Sequence, residues 1–212
     1  RPSSEAAKRN DLALQRCQGC GHFQHPPYAT CVTCVSAALK FAPVSGKGKT
    51  AVFGAGPAGL SCAHYLASQG YPVTVFDKAK GPGGVPAMVI PAFRIAREDL
   101  AADIDRVQAM GVRFTFGWSG DINVAALRKE GFTSFVIACG APIARDLPME
   151  GSGRRMVDAL SFLEEGHVKT GIFDYAKDIT VVGGGNTAMD ASRVAARLPG
   201  KPRVRLLYRR TL

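Results

Sequence analysis

Two glycine-rich turns, each set between a short apolar run and a helix-forming stretch, constrain this chain more than any other feature. The first, Gly54-Ala55-Gly56-Pro57-Ala58-Gly59, follows the apolar run Thr50–Phe53 and opens a helix over Pro57–Ser68, with a second strand at Val73–Phe76. The second, Gly183-Gly184-Gly185-Asn186-Thr187-Ala188, lies between a strand at Ile179–Val182 and a helix from Asn186 to Arg197, with a strand at Val204–Tyr208 beyond. Strand, glycine turn, helix and strand within about 30 residues make a βαβ unit with parallel strands. In G-x-G-x-x-G the first glycine permits the tight turn, the second lets the backbone approach a pyrophosphate, and the third lets helix and strand pack closely. The helix N-terminus then offers N–H groups and the positive end of its dipole to the phosphates.

The residues after each unit separate the two nucleotides. Asp77 ends the strand after the first fingerprint, 18 residues past Gly59, where an acid accepts hydrogen bonds from ribose hydroxyls. The strand after the second ends at Tyr208-Arg209-Arg210. Two arginines there suit the 2′-phosphate of NADPH, which guanidinium groups pair bidentately; the plainer reading is a basic strand end in solvent. Asp190, one turn into the second helix, receives no firm role. Between the units, the Gly- and Pro-rich residues 79–95 read as a long loop. Arg97–Met110 reads as an amphipathic helix stopped by Gly111, and Val112–Phe116 as a strand. Val124–Glu130 and Val157–Glu165 read as helices, and Ser134–Ala138 as another buried strand.

Four of the six cysteines, Cys17, Cys20, Cys31 and Cys34, fall within eighteen residues as two C-x-x-C knuckles. No secretory leader precedes them, so a metal site is expected rather than disulfides. Four thiolates in this spacing suit tetrahedral Zn2+, and iron is the alternative. Cys62 and Cys139 stand alone in apolar segments and are expected in the core. The fold class expected is therefore α/β: two Rossmann-like βαβ dinucleotide-binding units, both incomplete, preceded by a small zinc ribbon. The domain limits read as 1–49 for ribbon and linker, 50–150 for the first nucleotide domain and 151–212 for the second.

Composition narrows the function. No stretch approaches the ~20 apolar residues of a membrane span, so no membrane partner is expected. The net charge is +10, and residues 1–50 carry seven Lys/Arg against two Asp/Glu. That basic excess lacks interleaved aromatics, so nucleic acid is not an expected partner. The absent leader and the thiol-rich site point to the cytoplasm.

Residues 50–212 resemble the flavoprotein family of the glutamate synthase small subunit, the N-terminal part of dihydropyrimidine dehydrogenase and selenate reductase-type subunits, the last most closely. The matching strings are Val52–Leu60 (VFGAGPAGL), Val73–Asp77 (VTVFD), Gly83–Gly84, Ile90–Ile95 (IPAFRI), Val136–Ala141 (VIACGA), Val182–Asp190 (VGGGNTAMD) and Tyr208–Arg210 (YRR). The resemblance implies FAD at Gly54, Gly56, Gly59, Asp77 and Gly84, with Gly140 near the isoalloxazine. It implies NADPH at Gly183, Gly185, Asn186, Thr187, Arg209 and Arg210. Hydride would pass from NADPH to FAD, and electrons onward to another subunit or chain. In that family a C-terminal Gly-Asp motif closes the FAD domain; the 212 residues do not contain it, so a fragment, a natural fusion or a chimera is expected. Residues 12–48 resemble the rubredoxin-like zinc ribbon of OB-fold proteins that accompany acyl-CoA enzymes. The alternative function is a non-catalytic partner-binding module, a zinc ribbon on a truncated flavoprotein fold.

Overall fold

The computed structural model describes residues 15–17, 23–24, 39–41, 46–144, 156–168 and 177–209. Near the N-terminus, β1 (Gln15–Cys17) pairs antiparallel with β2 (Phe23–Gln24) and with β3 (Leu39–Phe41) in a small sheet of order β2-β1-β3. The chain divides into two compact units, one made of Arg1–Gly84 and Glu98–Gly140, the other of Val85–Arg97 and Ala141–Leu212.

The first unit is built on a parallel sheet of order β6-β5-β4-β7: β4 is Lys49–Phe53, β5 Val73–Asp77, β6 Arg113–Phe116 and β7 Phe132–Ile137. Alternation along β4 sends Val52 to one face and Ala51 and Phe53 to the other, and all three are 0% exposed. On the Val52 face lie α1 (Pro57–Ser68) and α3 (Arg97–Ala109), which contribute Ala63, Ala67 and Val107 to the core. On the other face Phe53 stacks on Phe76 and Trp118, with ring centroids 5.6 and 5.2 Å away. α1 starts at Pro57, whose fixed φ suits the first helical position. Its small residues Gly59, Ala63 and Ala67 form the buried stripe that lets it lie close to the sheet.

In the second unit β8 (Asp178–Val182) and β9 (Arg203–Leu207) pair in parallel. α6 (Asn186–Ala195) lies between them in the chain and buries Ala188, Asp190, Ala191 and Ala195. α5 (Ala159–Val168) and the segment around Val89 complete a core of Val89, Leu163 and Ala191.

Three expectations are corrected. Residues 79–95 are not loop throughout: Val85–Met88 forms a short helix, α2, helped by Pro86 near its start. β7 is not a buried strand but the edge of its sheet, and Ile137 is 74% exposed. Cys139 follows that edge strand and is exposed rather than core, its Sγ 3.5 Å from the Phe53 carbonyl. Cys62 is half-buried against the α1 core, nearer to expectation.

Candidate functional site

Each glycine turn forms the junction between a parallel strand and the helix that follows. In the first, Gly54 has φ +111°, and a Cβ there would strike the backbone of Ala138 at the end of β7. A Cβ on Gly59 would strike the Gly54 carbonyl oxygen. Both glycines are thus explained by packing inside the chain.

Gly56 is not. It is the N-cap of α1 with φ −77° and ψ −178°, a conformation any residue adopts, and a Cβ there would meet only Gly84 Cα at 3.9 Å, an ordinary contact. Gly185 repeats the pattern as N-cap of α6, with φ −82°, ψ 177° and nothing within 4 Å of a built Cβ. Neither N-cap carries a side-chain hydrogen bond to the helix, so the first-turn N–H groups have no capping side chain. A residue that is glycine without a backbone or packing reason, in front of an uncapped helix, leaves a cradle for an anion approaching from outside. A dinucleotide pyrophosphate fits both cradles.

The first cradle has a floor and a tether. Gly83 donates its N–H to the Ala55 carbonyl at 2.8 Å, and Gly84, at φ +55°, lies so close that its Cβ would sit 2.8 Å from Gly56 Cα. Asp77 at the end of β5 accepts from Ala55 N at 2.5 Å on Oδ2 and from Ala79 N at 2.8 Å on Oδ1. The carboxylate therefore holds the turn, and each oxygen keeps a lone pair for a further donor. The tethering role was invisible in the sequence, although the position of Asp77 was not. Gly140, at φ +69°, also has open space around a built Cβ.

The second cradle is covered differently. Gly183 has φ +129°, and the Tyr208 ring lies against Gly184, with Cδ2 2.5 Å from where a Cβ would be. Asn186 and Thr187 occupy the exposed first turn of α6. Arg209 is exposed just past β9; Arg210 lies outside the described residues. Of the metal-ligand candidates, Cys17 ends β1, whereas Cys20, Cys31 and Cys34 lie outside the described residues.

Sequence reasoning missed one arrangement. Arg94 Nη1 pairs with Asp190 Oδ1 at 3.2 Å, and the Asp190 side chain is only 7% exposed. Beside it, the Arg193 and Arg197 guanidiniums lie over the Phe93 ring, 4.1 and 4.8 Å from its centroid. The hints were that Phe93 and Arg94 fall within the IPAFRI string and that Asp190 ends the VGGGNTAMD string.

Known proteins agree with the two turns and the ribbon. The model of the pyridine nucleotide-disulphide oxidoreductase family matches residues 48–212, and that of the ChsH2 rubredoxin-like zinc ribbon domain matches residues 4–40. YgfK of Escherichia coli K12, whose name calls it an oxidoreductase, is 41% identical over 76% of this chain and 16% of its own length. The NADPH-Fe(3+) oxidoreductase subunit beta of Geobacter sulfurreducens is 39% identical over 77% of this chain and 25% of its own. The chain thus spans a quarter or less of these relatives. The fold is that of Mycobacterium tuberculosis FprA, solved with NADPH, at TM-score 0.60, 17% identity, and 76% and 43% of the two chains. With the matching model covering most of its length, the chain belongs to the pyridine nucleotide-disulphide oxidoreductase family.

Proposed function

We propose that the chain is the nucleotide-binding part of a flavoprotein oxidoreductase that takes hydride from NADPH onto FAD and passes electrons to an acceptor on another subunit or chain. One observation carries the reading: Gly56 and Gly185, the second glycines of the two fingerprints, are glycines without an internal reason, each before an uncapped helix. Two equal cradles in one family member suit two dinucleotides.

FAD would lie at Gly54, Gly56, Gly59, Asp77, Gly84 and Gly140, within the domain portion 50–150. NADPH would lie at Gly183, Gly185, Asn186, Thr187, Arg209 and Arg210, within 151–212. The FAD, when bound, supplies hydride acceptance and release of electrons. The chain supplies binding and orientation: α1 and α6 present their N-terminal N–H groups to the two pyrophosphates, and Asp77 meets a ribose. Arg209 and Arg210 select the 2′-phosphate. The Geobacter relative carries NADPH in its name, and FprA was solved with it, which supports the choice of nucleotide. Cys17, Cys20, Cys31 and Cys34 would hold Zn2+ structurally, with iron as the alternative metal. A thiolate site of this kind fits a reducing compartment such as the cytoplasm. Among the described residues no helix is long and apolar enough to cross a membrane.

The test is the visible absorption spectrum of the purified, desalted protein before and after anaerobic NADPH. A flavin spectrum that bleaches is the expected result; a featureless spectrum sinks the active-enzyme reading for this chain. The exposed Ile137 in the first unit, and Ile143, Val182 and Leu207 in the second, favour a second reading, a partner-binding module. It predicts a colourless protein that holds a metal and captures another chain.

A further inference from the structure

The Arg94–Asp190 pair has no part in either fingerprint, yet it sits on the helix that opens the second one. Asp190 is the fifth residue of α6, four beyond Asn186. At ~1.5 Å rise per residue, its Cα is ~6 Å along the axis from the first helical residue, on the same face, and side chains lean toward the N-terminus. A carboxylate so placed opposes the partial positive charge with which the helix end attracts phosphate. Burial increases that opposition, because water screens it less. Asp190 is nevertheless the most deeply buried acidic side chain described.

Arg94 answers this charge. Its Nη1 lies 3.2 Å from Asp190 Oδ1, and its side chain stays 37% exposed. The neighbouring Phe93 seats the same segment beneath Arg193, on α6 three residues past Asp190, and Arg197, just beyond the helix end. Arg97 anchors the other end by donating to the Pro86 and Ile90 carbonyls at 2.7 and 3.0 Å. The segment is thus fixed at several points, and Arg94 is delivered to Asp190 from 96 positions away in sequence.

We propose that Arg94 is a positioning residue of the NADPH site: by neutralising Asp190 it keeps the N-terminal end of α6 attractive to the pyrophosphate. The inference rests on α6 opening that site. A purely structural pair would shift the melting curves of the variants and leave the NADPH affinity of those that fold unchanged. A charge-masking pair makes loss of Arg94 harmful only while Asp190 keeps its charge.

The experiment is calorimetric titration of the 212-residue chain with NADPH, for wild type, R94A, R94K, D190N and R94A/D190N, with a melting curve of each. R94A is expected to bind about tenfold more weakly, and R94K to recover most of that loss. D190N is expected to match or exceed wild type, and the double variant to return to within about threefold of it. Raising salt should narrow the gap between R94A and wild type. Undiminished binding by R94A overturns the proposal, as does a folded double variant no better than R94A. Should R94A not fold, the comparison of D190N with the double variant decides: equal affinities support the proposal, and a tenfold weaker double variant overturns it. If wild type binds no NADPH, the reading of the second fingerprint falls and this inference with it. If wild type binds and R94A is unaffected, only the inference falls.

Discussion

The two fingerprints share a local geometry but not surroundings. Gly54 and Gly183 take φ +111° and +129°, and Gly56 and Gly185 cap their helices with nearly the same extended dihedrals. Around them the units diverge. β4 is central in its sheet, with Ala51, Val52 and Phe53 fully buried, whereas β8 has one paired neighbour among the described residues and leaves Val182 53% exposed. The turn is therefore written in a handful of neighbouring residues, while burial depends on how many strands and helices gather round. Even the contacts that hold the turn differ: a carboxylate ties the first, an aromatic ring lies on the second.

The third fingerprint position offers the sharpest way to break the comparison. Helix and turn approach so closely in the first unit that a Cβ on Gly59 would overlap the Gly54 carbonyl oxygen. The second unit already holds Ala188, nearly buried, and a Cβ on Gly183 would clear its Cβ by 3.5 Å. Gly59→Ala should thus destabilise the first unit by ~3 kcal/mol, the upper range for overpacking against backbone. Urea unfolding followed by fluorescence of Trp118, the single tryptophan, reads this unit. The reciprocal Ala188→Gly should cost only about 1 kcal/mol, chiefly from helix propensity. Equal penalties would mean that the two turns are packed alike after all.

The tethers come next in size. Asp77→Ala leaves the Ala55 and Ala79 N–H groups without their partner, for a loss of about 2 kcal/mol. Tyr208→Ala removes a half-exposed ring from Gly184 and should cost nearer 1 kcal/mol. If the FAD reading holds, Asp77→Ala also lowers flavin content in the desalted protein, while Tyr208→Ala leaves it unchanged. A drop in flavin with Tyr208→Ala would argue against separate sites.

Sequence periodicity revealed the elements whose reasons are local. α1 runs Pro57–Ser68 as read, because a proline start, a small-residue stripe and a glycine stop all lie within it. Apart from α2, the strand and helix order from β4 to β9 was legible for the same reason. What escaped depends on distant partners. The apolar β7 read as buried, but burial requires something on its far side, and nothing within the strand says whether that is present. Cys139 was misplaced with it. Asp190 could be given no role because its counter-charge lies 96 residues away, and no period links Arg94 to α6. The Gly-Pro composition of 79–95 hid both α2 and the segment that carries Arg94. For the sites, the glycine positions and Asp77 were readable from spacing; the bonds that tie Asp77 to the turn were not.

The smallest contrast is in helix capping, and it separates the units by pH. In the first unit Asn123 caps α4 (Val124–Lys129), its side chain accepting from Ala126 N at 3.0 Å. In the second, Asp158 precedes α5, and its Oδ1 accepts from Leu160 N and Ser161 N, each at 3.0 Å. The Ser161 side chain first, then its backbone N–H, with a lesser contribution from Leu160, hold the Asp158 carboxyl below the usual carboxylate range against an opposing effect of partial burial. A carboxyl with a depressed folded pKa adds stability above its unfolded value of about 4 and loses it as pH falls from there through the folded value. Acid should therefore loosen the start of α5 while leaving the α4 cap untouched, since an amide does not titrate. Asp158→Asn should match wild type at pH 7 to within a few tenths of a kcal/mol, because Asn caps as well as Asp, and should lose the acid sensitivity. Asp158→Ala should cost about 1 kcal/mol at pH 7 and be equally insensitive. Amide protection factors at pH 7 and pH 3, corrected for intrinsic exchange, read both helix starts in one experiment; equal loosening of α4 and α5 would place the acid effect elsewhere than in the cap.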